Sequence, residues 1–164
     1  IYLDMMANEY LLYKKKARLI FLWPTANKSN DSKFNEIINK HGEVVYEKKI
    51  IGRGFNQPIS GCDPSAHAEI VALRDAAKTI GNYRLSGCSL VVTVEPCTMC
   101  AGALVHARID QLIFGVREPR AGAVCSSARV LENPFLNHKV KVVEGVMEEE
   151  CKALMSKFFR ERRD

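Results

Sequence analysis

An α/β domain with helices on both faces of a sheet is the fold class this sequence predicts, and three observations point to it. Ser89-Leu90-Val91-Val92-Thr93-Val94 is a nearly continuous β-branched run, the pattern of a strand covered on both faces. Helical stretches flank it, and a second apolar run, Gln111-Leu112-Ile113-Phe114-Gly115-Val116, follows the second of them. The chain then closes on Met147, Cys151, Leu154, Met155, Phe158 and Phe159, which share one face of a helix.

Taken in order, residues 1–22 read as a weak helical segment that Trp23-Pro24 stops, because the residue before proline disfavours the α region. A polar loop over residues 25–32 follows. Phe34, Ile37 and Ile38 suit a short helix ending around Gly42. Val44-Val45-Tyr46 and Ile50-Ile51 bracket Glu47-Lys48-Lys49 as a hairpin or adjoining short strands would. Gly52-Arg53-Gly54 lacks the spacing of a phosphate-binding loop. Residues 57–65, rich in Pro and Gly, form a loop. A helix is then expected from Ser65 or Ala66 through Ile80, burying Ile70, Val71, Leu73, Ala76 and Ala77, with Gly81-Asn82 as its stop.

Pro96 suits the opening of the next helix, where its missing N–H costs little. That helix runs to about Ala107 or Arg108, and Ala101, Gly102 and Ala103 let it lie close to its neighbour. Residues 117–127 are a polar excursion, with a short helix around Ala128–Leu131. Val140-Lys141-Val142-Val143 supplies another strand before the final helix.

The 164 residues suit one domain with a substantial core, and 47% apolar with 26% charged residues is the profile of a soluble globular protein. No apolar run is long enough to cross a bilayer, so no membrane partner is expected. No secretory signal is read at the N-terminus, and a cytoplasmic protein is expected from the cysteine usage. The formal charge of +5 permits a nucleic-acid partner without requiring one. Lys157, Arg160, Arg162 and Arg163 gather near the C-terminus, behind the acidic run Glu148-Glu149-Glu150.

Six cysteines allow three disulfides, yet Cys97-Thr98-Met99-Cys100 taken with His67-Ala68-Glu69 favours metal binding in a reducing compartment. One imidazole (His67) and two thiolates (Cys97, Cys100) give three ligands to a tetrahedral zinc ion and leave a fourth position for water. Both elements fall near expected helix N-termini, where the backbone favours thiolates. Glu69 is then the catalytic group, taking the water proton and passing it on. This chemistry converts an amidine-like C–NH2 into C=O with loss of ammonia. Glu95 is read as a brace of local structure. A purely structural site would need a fourth protein ligand, for which Cys62, Cys88, Cys125 and His106 are the candidates.

His67-Ala68-Glu69 with Pro96-Cys97 and Cys100 resembles the zinc-dependent cytidine/adenosine deaminase superfamily. Within it, Asn56-Gln57-Pro58-Ile59, Asp63 to Ile70, Asn82-Tyr83-Arg84-Leu85 and Thr93 to Ala103 are similar to the bacterial tRNA-specific adenosine deaminases, over about residues 50–163. The resemblance implies a three-layer α/β/α cytidine-deaminase-like fold around a mixed sheet of about five strands. It implies one Zn2+ per subunit, a homodimer, and conversion of the wobble adenosine of a tRNA anticodon stem-loop to inosine. Carried over by position, Asn56 would hydrogen-bond the flipped base, and Ala66 and Val94 would line its pocket. Arg117 and Glu118 would lie by the nucleotide backbone, and Phe159, Arg160, Arg162 and Arg163 would contact the RNA stem or loop. Glu118 stands where the family commonly has aspartate.

The departure is at the front: the chain reads as a single deaminase domain over 1–164, with residues 1–46 atypical. Residues 11–46 are nonetheless expected to supply a helix and an edge strand. Two other functions fit the motifs, a deaminase of a free nucleobase or nucleotide and a noncatalytic, zinc-stabilised RNA-binding protein.

Overall fold

The computed structural model describes residues 41–161. The helical segment expected over 1–22, the loop over 25–32 and the short helix on Phe34, Ile37 and Ile38 lie outside the described residues. So do Arg162, Arg163 and the side chain of Phe159.

Five strands, β1 (His41–Tyr46), β2 (Lys49–Phe55), β3 (Ser89–Val94), β4 (Gln111–Val116) and β5 (Lys141–Val143), form one sheet in the order β2-β1-β3-β4-β5. β1 is antiparallel to both its neighbours, whereas β3, β4 and β5 are parallel, so the sheet is mixed as expected. Its described helices are α1 (Ala68–Ile80), α2 (Thr98–His106) and α3 (Glu148–Glu161). None is long and apolar enough to cross a membrane.

The hairpin falls where the apolar runs placed it. Glu47 and Lys48 both take positive φ, 45° and 64°, which is the two-residue turn whose twist matches that of its strands. The strand before the turn differs from expectation in two ways. Gly42 lies within β1 and does not end a helix, and β1 is an interior strand, with β2 at the edge. The cause is packing: Val44 is fully buried and pairs with Gly52 on one side and Leu90 on the other.

Gly42, Gly52 and Gly54 give the hairpin a bare face on which α1 lies. A Cβ on Gly42 would come within 3.0 Å of the Ala68 carbonyl oxygen. One on Gly52 would collide with the Ala72 carbonyl and Ala76 amide, and one on Gly54 with the Ala68 carbonyl and Ala72 amide. Helix backbone therefore rests on strand backbone. This also corrects the expected buried stripe of α1: Ala68, Glu69, Ala72, Leu73 and Ala76 are buried, while Ile70, Val71 and Ala77 are half-buried. Small side chains are what so close an approach admits. Gly54→Ala is expected to destabilise the fold by about 1–3 kcal/mol through overpacking, read as a lower urea midpoint at unchanged slope.

Alternation along the strands separates the layers. Val44, Leu90, Val92, Leu112 and Phe114 share a core with Leu73 of α1 and Leu104 and Val105 of α2. Gly115 points the other way, where a Cβ would strike the Cys151 sulfur of α3. Helices therefore cover both faces, the three-layer arrangement expected. β4 is buried from Leu112 to Gly115, whereas β3 alternates buried and half-buried positions and does not have both faces fully covered. The short helix expected around Ala128–Leu131 is one 3-10 turn, Val130–Glu132. Arg129 enters it at φ 46° and Asn133, preceding Pro134, leaves it at φ −55° and ψ 122°, outside the helical region, so it cannot lengthen.

Candidate zinc centre

Two helix starts build the centre. His67 is the N-cap of α1, with φ −71° and ψ 154°, and its carbonyl accepts the Val71 N–H at 2.9 Å. Cys97 is the N-cap of α2, with φ −74° and ψ 175°, and its carbonyl accepts the Ala101 N–H at 2.8 Å. Both helices thus begin two or three residues later than the sequence suggested. Pro96 stays outside its helix because its carbonyl receives the Ala123 N–H at 2.9 Å.

With extended N-caps the side chains turn toward one point. His67 Nδ1 lies 3.6 Å from the sulfur of Cys97 and 3.6 Å from that of Cys100, and the two sulfurs are 3.6 Å apart. Tetrahedral zinc, with bonds of about 2.3 Å to sulfur and about 2.0–2.1 Å to nitrogen, separates its ligand atoms by about 3.5–3.8 Å. The donor set therefore fits zinc, and Nδ1 is the histidine atom that faces it. Burial first, then the charges of Glu69 and Cys97, push the Cys100 thiol well above its ordinary range. Holding that sulfur as a thiolate calls for a cation among the three donors.

The fourth-ligand candidates stand elsewhere. Among the described residues, the cluster able to hold a metal consists of His67, Cys97 and Cys100. Cys62 is exposed, its sulfur 3.8 Å from the Ile59 carbonyl oxygen. Cys88 is in the core, where burial pushes its thiol up to about 11. Cys125 is half-buried beside Glu144 and Glu95, and His106 ends α2, a helix length from Cys97.

Glu69 is buried in the first turn of α1 and lies against Cys100. Asn56, just past the end of β2, accepts the Ala68 N–H on Oδ1 at 2.8 Å. A backbone N–H can only donate, so this bond fixes the orientation of the amide. Oδ1 secures the start of α1, and Nδ2 is left as the side of Asn56 a ligand could meet. Ala66 is buried beside it in the loop, with its carbonyl accepting the Gln57 N–H at 2.9 Å, and Val94 is buried at the end of β3.

The remaining expected contacts are not drawn to the zinc ligands. Arg117 holds Glu144 through two bonds of 2.7 Å, a pairing that keeps the Glu144 carboxyl below its usual range and raises the guanidinium. Glu118 uses its own side chain locally, accepting the Arg120 N–H at 3.1 Å. Arg160 is exposed in the last turn of α3.

Sequence reasoning understated Glu95. It is only 4% exposed, yet its carboxylate collects the N–H groups of Glu118, Val124, Cys125 and Ser126 at 3.0, 3.0, 2.7 and 2.8 Å, and the Ser126 hydroxyl as well. Burial alone would raise its pKa, but the Ser126, Cys125 and Glu118 hydrogen bonds prevail and hold it below the ordinary carboxylate range. The available signals were an acidic residue at the end of a buried strand and the small residues Gly122, Ser126 and Ser127 downstream.

A mixed sheet of this order, with thiol and imidazole donors at two facing helix starts, is the architecture of a zinc-dependent deaminase. Residues 28–116 match the cytidine and deoxycytidylate deaminase zinc-binding region, and the chain belongs to that family. Among its relatives, the tRNA-specific adenosine deaminase of Haemophilus influenzae is 49% identical over 117 residues, covering 71% of this chain and 68% of that one. That of Bacillus subtilis is 41% identical over 120 residues, covering 73% and 74%. A structure from work on A-to-I editing by tRNA:A34 deaminases superposes with a TM-score of 0.68 at 38% identity, over 70% of this chain and 83% of that one. A guanine deaminase from Nitrosomonas europaea, 23% identical with a TM-score of 0.62 over 73% and 71%, shares the fold.

Proposed function

We propose that the chain deaminates adenosine to inosine at the wobble position of a tRNA anticodon. The observation that carries this is Glu69, buried in the first turn of α1 against one of three converging zinc donors, in a chain 49% identical to a tRNA-specific adenosine deaminase. His67, Cys97 and Cys100 would hold the ion. When bound, zinc supplies Lewis acidity that lowers the pKa of a water near neutrality.

Glu69 does the proton work. It takes a proton from the attacking water and delivers it to the adjacent ring nitrogen as the C6–O bond forms. It then collects the second proton from the new C6 hydroxyl and gives it to the amino group, so that C6=O forms, the C6–N bond breaks and ammonia leaves. A base inside a stacked loop is out of reach of a buried carboxylate, so the nucleotide must be extruded. Asn56 meets the extruded base through Nδ2, which can donate only, so its partner is an unprotonated ring nitrogen or a carbonyl oxygen. Ala66 and Val94 are small enough to line the slot. Arg117, Glu118, Phe159, Arg160, Arg162 and Arg163 are assigned to the RNA, in a homodimer that works in the cytoplasm.

The direct test incubates the zinc-loaded protein with anticodon stem-loop RNAs carrying adenosine or cytidine at the first anticodon position, and with free guanine. Inosine from the adenosine RNA alone supports the reading; uridine or xanthine as the main product overturns it. Asn56→Asp separates that residue's two jobs, since it keeps the acceptor for Ala68 and removes the donor. It is expected to lower kcat/KM by about tenfold or more with little change in thermal midpoint.

A further inference from the structure

Glu95 stands between a zinc-donor turn and the loop over residues 118–126, which it ties down through five hydrogen bonds. It directly precedes Pro96-Cys97, and the groups it collects come from residues 118–126. The same loop is fastened to the donor turn by two further contacts: Gly122 forms a β-bridge with Cys97, and Ala123 donates to the Pro96 carbonyl at 2.9 Å. Gly122 leaves no room for a side chain, since a Cβ there would run into the Glu95 carboxylate and the Glu118 carbonyl. The loop is thus seated with its backbone against the turn that carries Cys97.

The two carboxylate oxygens divide the work. Oε1 accepts the consecutive N–H groups of Val124, Cys125 and Ser126, and Oε2 accepts those of Glu118 and the Ser126 hydroxyl. A glutamine amide can reproduce the first set with its oxygen. Its NH2 would oppose the Glu118 N–H, donor against donor.

We propose that Glu95 is a positioning residue for substrate: it fixes residues 118–126 as one wall beside the zinc donors, and through that wall sets how tightly the RNA is bound. The activity half of this claim rests on the deaminase reading above. The geometric half does not.

The test compares Glu95→Gln and Gly122→Ala, which disturb the seat from opposite sides, with Ser126→Ala as the milder variant should either fail to fold. Zinc content, amide hydrogen exchange, and KM and kcat on the adenosine stem-loop are measured together. The expected result is one zinc per chain, loss of exchange protection over 118–126, a KM raised about tenfold and kcat within about threefold. Ser126→Ala should move KM the same way by a smaller factor. A merely structural residue would lower the folded fraction, and so the apparent kcat, at unchanged KM; that outcome overturns the proposal. So does lost exchange protection with KM and kcat both intact. Protection unchanged in both variants overturns the geometric half. Wild-type protein that forms no inosine is a different failure, that of the deaminase reading, and the exchange data tell the two apart.

Discussion

Glu69→Gln is expected to lower kcat/KM on the adenosine stem-loop by about 10³- to 10⁴-fold, the upper range of what a positioned proton-transfer group contributes. Zinc should stay at one per chain, because Glu69 is not among the three converging donors. Glutamine is the informative replacement. The side chain is buried, so a near-isosteric amide keeps the packing and removes the capacity to take up and release a proton. Inosine release by stopped assay, with metal analysis of the same sample, checks both halves. Activity within tenfold of the parent would sink the proton-transfer role, and loss of zinc would make Glu69 a ligand.

The second large effect is at Cys100. Cys100→Ala leaves His67 and Cys97 as a pair of donors, too few for a stable four-coordinate ion, and is expected to reduce zinc after dialysis to about a tenth or less. Deamination should disappear with it. A group that binds only the folded chain stabilises it by about 4 kcal/mol when free ligand is a thousandfold above Kd. A chelator should therefore lower the thermal midpoint of the parent and leave that of Cys100→Ala unmoved. Cys62→Ser is the control, since Cys62 is exposed and outside the cluster. Zinc loss in that variant instead would mean a fourth protein ligand and a structural site.

What could be read from the sequence was chemistry carried by close spacing. Cys97 and Cys100 announce a metal half-site from four residues, and His67 with Glu69 from three. The central strands were legible for the same reason: Leu90 to Val94 and Leu112 to Val116 declare strands by composition, although only β4 has the burial on both faces that such a run suggests. Long-range backbone relations were not. Glu95 gathers donors from 23 to 31 residues away, and most of them are main-chain N–H groups, which every residue but proline carries and no side chain advertises. Arg117 was assigned to RNA, yet its bidentate partner is Glu144, 27 residues on. Glu144 takes Nε and one Nη of that guanidinium, so an RNA phosphate at Arg117 meets the remaining N–H groups beside a carboxylate or displaces it. Gly42 looked like a helix stop because glycine often is one; its place in β1 follows from α1 pressing on the sheet, a tertiary cause.

That contact has a consequence for how tolerance to substitution is distributed over the molecule. A saturation library scored for activity would be expected to show depletion at His67, Glu69, Cys97 and Cys100, where the chemistry is. It should show nearly as deep a depletion at Gly52 and Gly54, which lie under α1 and are not among the metal donors. Their contribution is an absence: any side chain would lift the first turns of α1 and carry His67 and Glu69 away from the two sulfurs with it. Intolerant positions on the hairpin would thus mark the seating of the centre without belonging to it.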